Sequence, residues 1–88
     1  MKISFAKTFG RDLKKLRDPK VLGRVQLAIE QVESAIRPAD LDDYKKISGT
    51  DDCYRIRIGN YRIGLVMKDD TIEFARCMLR RDLYRYFP

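Results

Sequence analysis

The stretch Tyr54-Arg55-Ile56-Arg57-Ile58-Gly59-Asn60-Tyr61-Arg62-Ile63 decides the fold, because apolar and charged residues alternate on both sides of a Gly-Asn pair. Alternation with period two is the mark of a half-buried strand, and a two-residue Gly-containing connection is a hairpin turn. The turn fixes the register. Ile58 is expected opposite Tyr61, Arg57 opposite Arg62, Ile56 opposite Ile63 and Arg55 opposite Gly64, each pair sharing a face. Arg57 and Arg62 then stand side by side, where like charges repel. A sheet that tolerates this on a solvated face keeps the arginines for an anion, and Gly64 beside Arg55 leaves room for one. Forked guanidiniums suit a phosphodiester backbone. Relief of repulsion implies that truncating Arg57 or Arg62 costs no stability.

Around this hairpin the chain reads as an α+β domain. Residues 2–5 form a short strand, and Phe9, Leu13 and Leu16 mark a helix to about Arg17. Asp18-Pro19 starts a second helix, with Asp at the N-cap and Pro in the first turn, and Leu22, Val25, Ile29, Val32 and Ile36 follow at helical spacing. Arg37-Pro38-Ala39-Asp40 ends it. Tyr44 to Gly49 is a short strand. A meander follows: strand 53–58, turn 59–60, strand 61–67, an acidic turn at Asp69-Asp70, strand 72–78 and a short helix or turn from about Arg81. The two N-terminal helices are expected on one face of a small, mainly antiparallel sheet, against Tyr54, Ile56, Ile58, Tyr61, Ile63, Leu65 and Met67. The arginine face is expected to stay open. The register of the last strand is undecided. A three-residue turn puts Arg76 across from Gly64, whereas a two-residue turn puts Cys77 near Arg62.

With 88 residues the chain is read as a single domain, 1–88. No apolar run approaches the roughly 20 residues of a membrane span, and the start lacks the apolar region of a signal peptide, so no membrane partner and a cytoplasmic location are expected. Cys53 and Cys77 are read as unpaired thiols. The net charge of +6 points to a polyanionic partner. Residues 53–88 carry 8 basic and 4 acidic side chains, against 11 and 9 in residues 1–52. The chain has no histidine, which removes the commonest general base and metal ligand. Asp51-Asp52 and Asp69-Asp70 read as turn chemistry, so no metal and no cofactor are expected.

From Phe5 to Arg85 the chain resembles the RelE/ParE superfamily of type II toxin–antitoxin toxins, especially the RelE-like mRNA endoribonucleases. The resemblance is carried by Phe5 to Leu16, the Asp18-Pro19 helix, Lys45-Lys46-Ile47-Ser48-Gly49, the arginine hairpin and the tail Arg80-Arg81-Asp82-Leu83-Tyr84-Arg85. It implies a microbial-ribonuclease-like fold, neutralisation by a RelB-like antitoxin, operator DNA bound only through the antitoxin complex, and cleavage of mRNA in the ribosomal A site. By position it implies that Arg55, Arg57, Arg62, Arg80 and Tyr84 form the catalytic set. Lys45, Lys46, Arg81 and Arg85 are expected as peripheral RNA contacts. Arg55 and Arg57 replace lysines of the best-studied members, and Leu79 stands where many relatives have His or Lys. A ParE-like inhibitor of DNA gyrase, acting by binding alone, is the alternative.

Overall fold

The hairpin forms in the expected register. In the computed structural model, which describes residues 1–37 and 40–88, strand β3 (Cys53–Ile58) pairs antiparallel with β4 (Tyr61–Lys68), with Arg57 opposite Arg62 and Arg55 opposite Gly64. Gly59 takes a φ of 64°, which a side chain would strain. On the outer side of β3 lies the short β2 (Tyr44–Lys46). On the other side, β4 pairs with β5 (Thr71–Leu79), and β5 pairs with the first strand, β1 (Lys2–Phe5), in parallel. The sheet order is therefore β1-β5-β4-β3-β2.

The undecided register resolves into both alternatives in succession. The turn at Asp69-Asp70 has two residues, with Lys68 opposite Thr71, and the pairing then shifts by one between Gly64 and Leu65. Arg76 consequently stands opposite Gly64 while Cys77 stands opposite Ile63. A bulge of this kind lets Phe74 and Cys77 both face the core, although they are separated by an odd number of positions.

Helices α1 (Lys7–Lys15) and α2 (Pro19–Ser34) cover the face bearing Ile56, Ile58, Ile63, Leu65, Ile72 and Phe74. Val25, Ala28 and Val32 enter this core from α2, and Phe9 and Leu16 from the first helical segment. Each fully buried side chain of this size contributes roughly 1.5–3 kcal/mol. The N-cap reading holds, since Asp18 Oδ1 accepts the Lys20 N–H at 2.9 Å. The helix ends earlier than its apolar spacing suggests, so Ile36 is 87% exposed. Pro38 and Ala39, read as part of the stop, lie outside the described residues.

The second face is less open than expected. Helix α3 (Arg80–Tyr86) folds back over it, and Leu83 and Phe87 join Cys53 and Ala75 in a separate buried cluster. Gly64 is the seat of the Phe87 ring, which lies 2.9 Å from where a Cβ would stand. The gap beside Arg55 is thus filled by the protein's own side chain. Beyond β1, α1 protects the edge of β5. Thr8 Oγ1 donates to the Ala75 carbonyl at 2.6 Å, and buried Asp12 accepts the Cys77 N–H at 2.9 Å. Asp12 also binds the Arg76 guanidinium through Nε at 2.8 Å and Nη2 at 3.2 Å, so Arg76 is occupied and adds nothing to the arginine cluster.

Candidate functional site

Arg62 sits at the centre of the second face and is 8% exposed. Its Nη1 donates to the Gly59 carbonyl at 2.7 Å and to the Tyr61 carbonyl at 2.8 Å, tying the guanidinium to the hairpin turn. Its Nε is buried without a partner among the described residues. Burial, then Arg55, with Arg80 and Arg57 adding, pushes this guanidinium below its ordinary pKa. A cation held in this way gains from any anion that reaches it.

Tyr84, half-exposed on α3, forms a wall shared by two grooves. One, of about 520 Å³, is lined by Asn60, Arg62, Leu79, Arg80, Arg81 and Tyr84. The other, also about 520 Å³, is lined by Lys45, Lys46, Ile47, Ser48, Arg55, Tyr84, Phe87 and Pro88. The Arg80 N–H bonds the Asn60 carbonyl at 2.9 Å, which ties the start of α3 to the hairpin turn. Seven of the nine residues singled out in the sequence therefore line one double cleft. Arg57 and Arg85 do not. Arg85 is exposed in the last turn of α3.

Arg57 pairs with Asp43 instead. Its Nη2 lies 3.0 Å from Asp43 Oδ1, and it lines a smaller groove of about 180 Å³ with Arg24. The Asp43 carbonyl also accepts Arg55 Nη1 at 3.0 Å and the Arg57 N–H at 3.2 Å. One residue before β2 thus holds both arginines of β3, from a left-handed conformation with φ 57° that Asp tolerates. Opposed backbones do not give the two guanidiniums a common partner, since Arg57 turns to Asp43 and Arg62 to the Gly59 and Tyr61 carbonyls.

A family model described as ParE toxin of type II toxin–antitoxin system, parDE, matches residues 3–84. Toxin RelE3 of Methanocaldococcus jannaschii is 46% identical over 89 residues, spanning all of both chains. The chain belongs to the RelE/ParE superfamily of type II toxin–antitoxin toxins. Among solved structures, a chain of the RelB–RelE antitoxin–toxin complex from Methanococcus jannaschii superposes with a TM-score of 0.81 at 43% identity, covering 97% of this chain and 99% of that one. The archaeal RelE–RelB complex from Pyrococcus horikoshii has the same fold, with a TM-score of 0.71 at 24% identity, covering 90% and 93%.

Within this RelE/ParE fold, three participants escape a reading of the sequence. Asp43 and Phe87 carry no local signal, because each meets its partner only after the sheet and α3 assemble. Asp12 does carry one. It lies on the apolar stripe of α1 between Phe9 and Leu16, where a carboxylate implies a buried cation. Among the described residues no three His, Cys, Asp or Glu side chains gather as a metal-binding group.

Proposed function

We propose that this toxin cleaves mRNA on the ribosome, using the double cleft around Tyr84 as its active site. The supporting observation is the buried Arg62, with an unpartnered Nε and its guanidinium flanked by Arg80, Arg55 and the Tyr84 ring. In this scheme the substrate's 2′ oxygen attacks the adjacent phosphorus, the bond to the 5′ oxygen breaks, and charge grows on the non-bridging oxygens. Arg62 and Arg80 stabilise that charge, and Arg55 holds the neighbouring phosphate. Arg57 joins when the phosphate replaces Asp43 as its partner. Guanidiniums supply the positive charge, so the scheme calls for no metal. Tyr84 stacks on a base or donates a proton to the leaving oxygen, and Lys45, Lys46 and Arg81 guide the strand. Arg85 is at most a peripheral contact. The 2′ proton goes to solvent or to a ribosomal group, since a guanidinium has no lone pair to accept it.

We further propose that residues 1–88 act as one unit in the cytoplasm, held inactive by a RelB-like antitoxin. Relatives solved as toxin–antitoxin complexes support that partner. Inhibition of DNA gyrase is the second reading, favoured by the ParE description of the matching family. Primer extension on mRNA after induction tests the two. Cuts within translated frames are expected, and Arg62→Met abolishes them. DNA breaks with intact mRNA overturn the nuclease and favour the gyrase inhibitor.

A further inference from the structure

Strand β5 outruns its neighbour on one side. Its parallel partner β1 stops at Phe5, opposite Phe74, and beyond that point side chains of α1 cover the edge. Thr8 donates to the Ala75 carbonyl and Asp12 accepts the Cys77 N–H. Helix α1 then ends at Lys15, and a cavity of about 240 Å³ opens against the last residues of β5, with Asp82 of α3 also on its wall. Main-chain groups of successive strand residues point to opposite edges. The Cys77 N–H points away from β4 to reach Asp12, and the Arg80 N–H points back to the Asn60 carbonyl. The Cys77 carbonyl and the Leu79 N–H therefore face out along this edge, without a partner among the described residues. In a parallel ladder such a carbonyl and the N–H two residues on are bound by the N–H and the carbonyl of one neighbouring residue. Here the edge has room for that residue and no strand to supply it.

We infer that this cavity binds a free α-amino acid with an apolar side chain, held as a one-residue extension of the sheet. Its carboxylate accepts the Leu79 N–H, and its ammonium donates to the Cys77 carbonyl. Counter-charges of both signs stand ready. Arg76 gives Asp12 one N–H from Nε and one from Nη2, which leaves Nη1 without a partner among the described residues. Lys15 and the half-buried Asp82 line the same cavity, and neither joins an ion pair among the described residues. Lys15 and Arg76 Nη1 thus face the carboxylate and Asp82 the ammonium. Paired residues share a face, so the ligand's side chain lies beside half-buried Met78. A peptide segment meets the two main-chain groups equally well but leaves Lys15 and Asp82 unmatched, so the charges select the zwitterion. Leu79 also lines the cleft around Tyr84, yet the cavity shares no charged residue with that cleft. Binding is accordingly independent of whether the cleft cuts RNA.

The test is titration of the isotope-labelled full-length chain with L-leucine, followed by the shifts of its backbone amides. Saturable shifts centred on Cys77 and Leu79 are expected, with a Kd on the order of 1 mM. Isocaproate, which lacks the amino group, and isopentylamine, which lacks the carboxylate, should each bind at least about tenfold more weakly. Asp82→Asn and Lys15→Gln should each weaken L-leucine about three- to tenfold while leaving the urea midpoint unchanged. The absence of a saturable shift up to about 10 mM overturns the inference. So do shifts centred on Tyr84, or wild-type affinity in both variants. N-acetyl-L-leucinamide carries the same side chain and main-chain groups without the charges. If it binds as tightly as L-leucine, the occupant is a peptide segment and the amino-acid site is overturned.

Discussion

Arg57 and Arg62 look equivalent in the alternating pattern, yet their surroundings divide them. Arg57 is a half-exposed partner of Asp43, and an exposed pair of this kind is worth roughly 0.2–1 kcal/mol. A bound phosphate must displace that carboxylate. Asp43→Asn keeps the left-handed backbone and both carbonyl contacts while removing the competing charge, so RNA should bind about two- to fivefold tighter by anisotropy. Weaker binding would mean that the carboxylate holds Arg57 in its working position. For Arg62, mutual repulsion is only part of the balance, because two carbonyls of the hairpin turn depend on its Nη1. Arg62→Met retains the aliphatic volume and removes a buried cation. Stability in urea should stay within about 1 kcal/mol of wild type, while single-turnover cleavage falls at least about 100-fold.

Two joints between elements position the cleft, and both are side chains bridging distant parts of the chain. Asp12 locks α1 to the edge of β5. Asp12→Ala strands the Arg76 guanidinium and the Cys77 N–H together, and should cost about 3–5 kcal/mol in urea melts. A loss below 1 kcal/mol would show that water replaces the carboxylate. Phe87 seats α3 on Gly64. Gly64→Ala drives a methyl into that ring and should cost about 1–3 kcal/mol. Because Tyr84 rides on the same helix, cleavage should fall by more than the loss of folded protein explains. Equal losses would mean that the ring yields without moving α3.

For the whole molecule, the pH dependence of stability follows from what the core excludes. Burial, then Asp12, pushes the Cys77 thiol up from 9.0 to about 12, and burial, then Tyr54, raises the Tyr44 phenol. Both folded groups therefore hold their protons where the unfolded chain releases them. Their contribution is complete below pH 9 and is lost as pH rises from about 9 toward 12. Thermal melts should show the midpoint falling over that window, with a shallower fall in Cys77→Ala. A flat profile would place the thiol in contact with water.

The hairpin, the meander and the α2 start were legible in the sequence because each is a local consequence of period and turn chemistry, whereas the residues that line the cleft were singled out by the arginine alternation together with the family resemblance. Sequence alone also showed that the cleft would be cationic and without histidine. It could not decide the register of β5, since a turn sets parity only until a bulge resets it at Gly64 and Leu65. Nor could it show that Arg57 leaves its opposite number for Asp43, that Arg76 is taken by Asp12, or that Phe87 fills the space beside Gly64. The partners in these three contacts are 14, 64 and 23 residues apart. Backbone pairing determines which residues share a face. Where a long side chain ends is decided by competition among partners that only the assembled layers bring within reach.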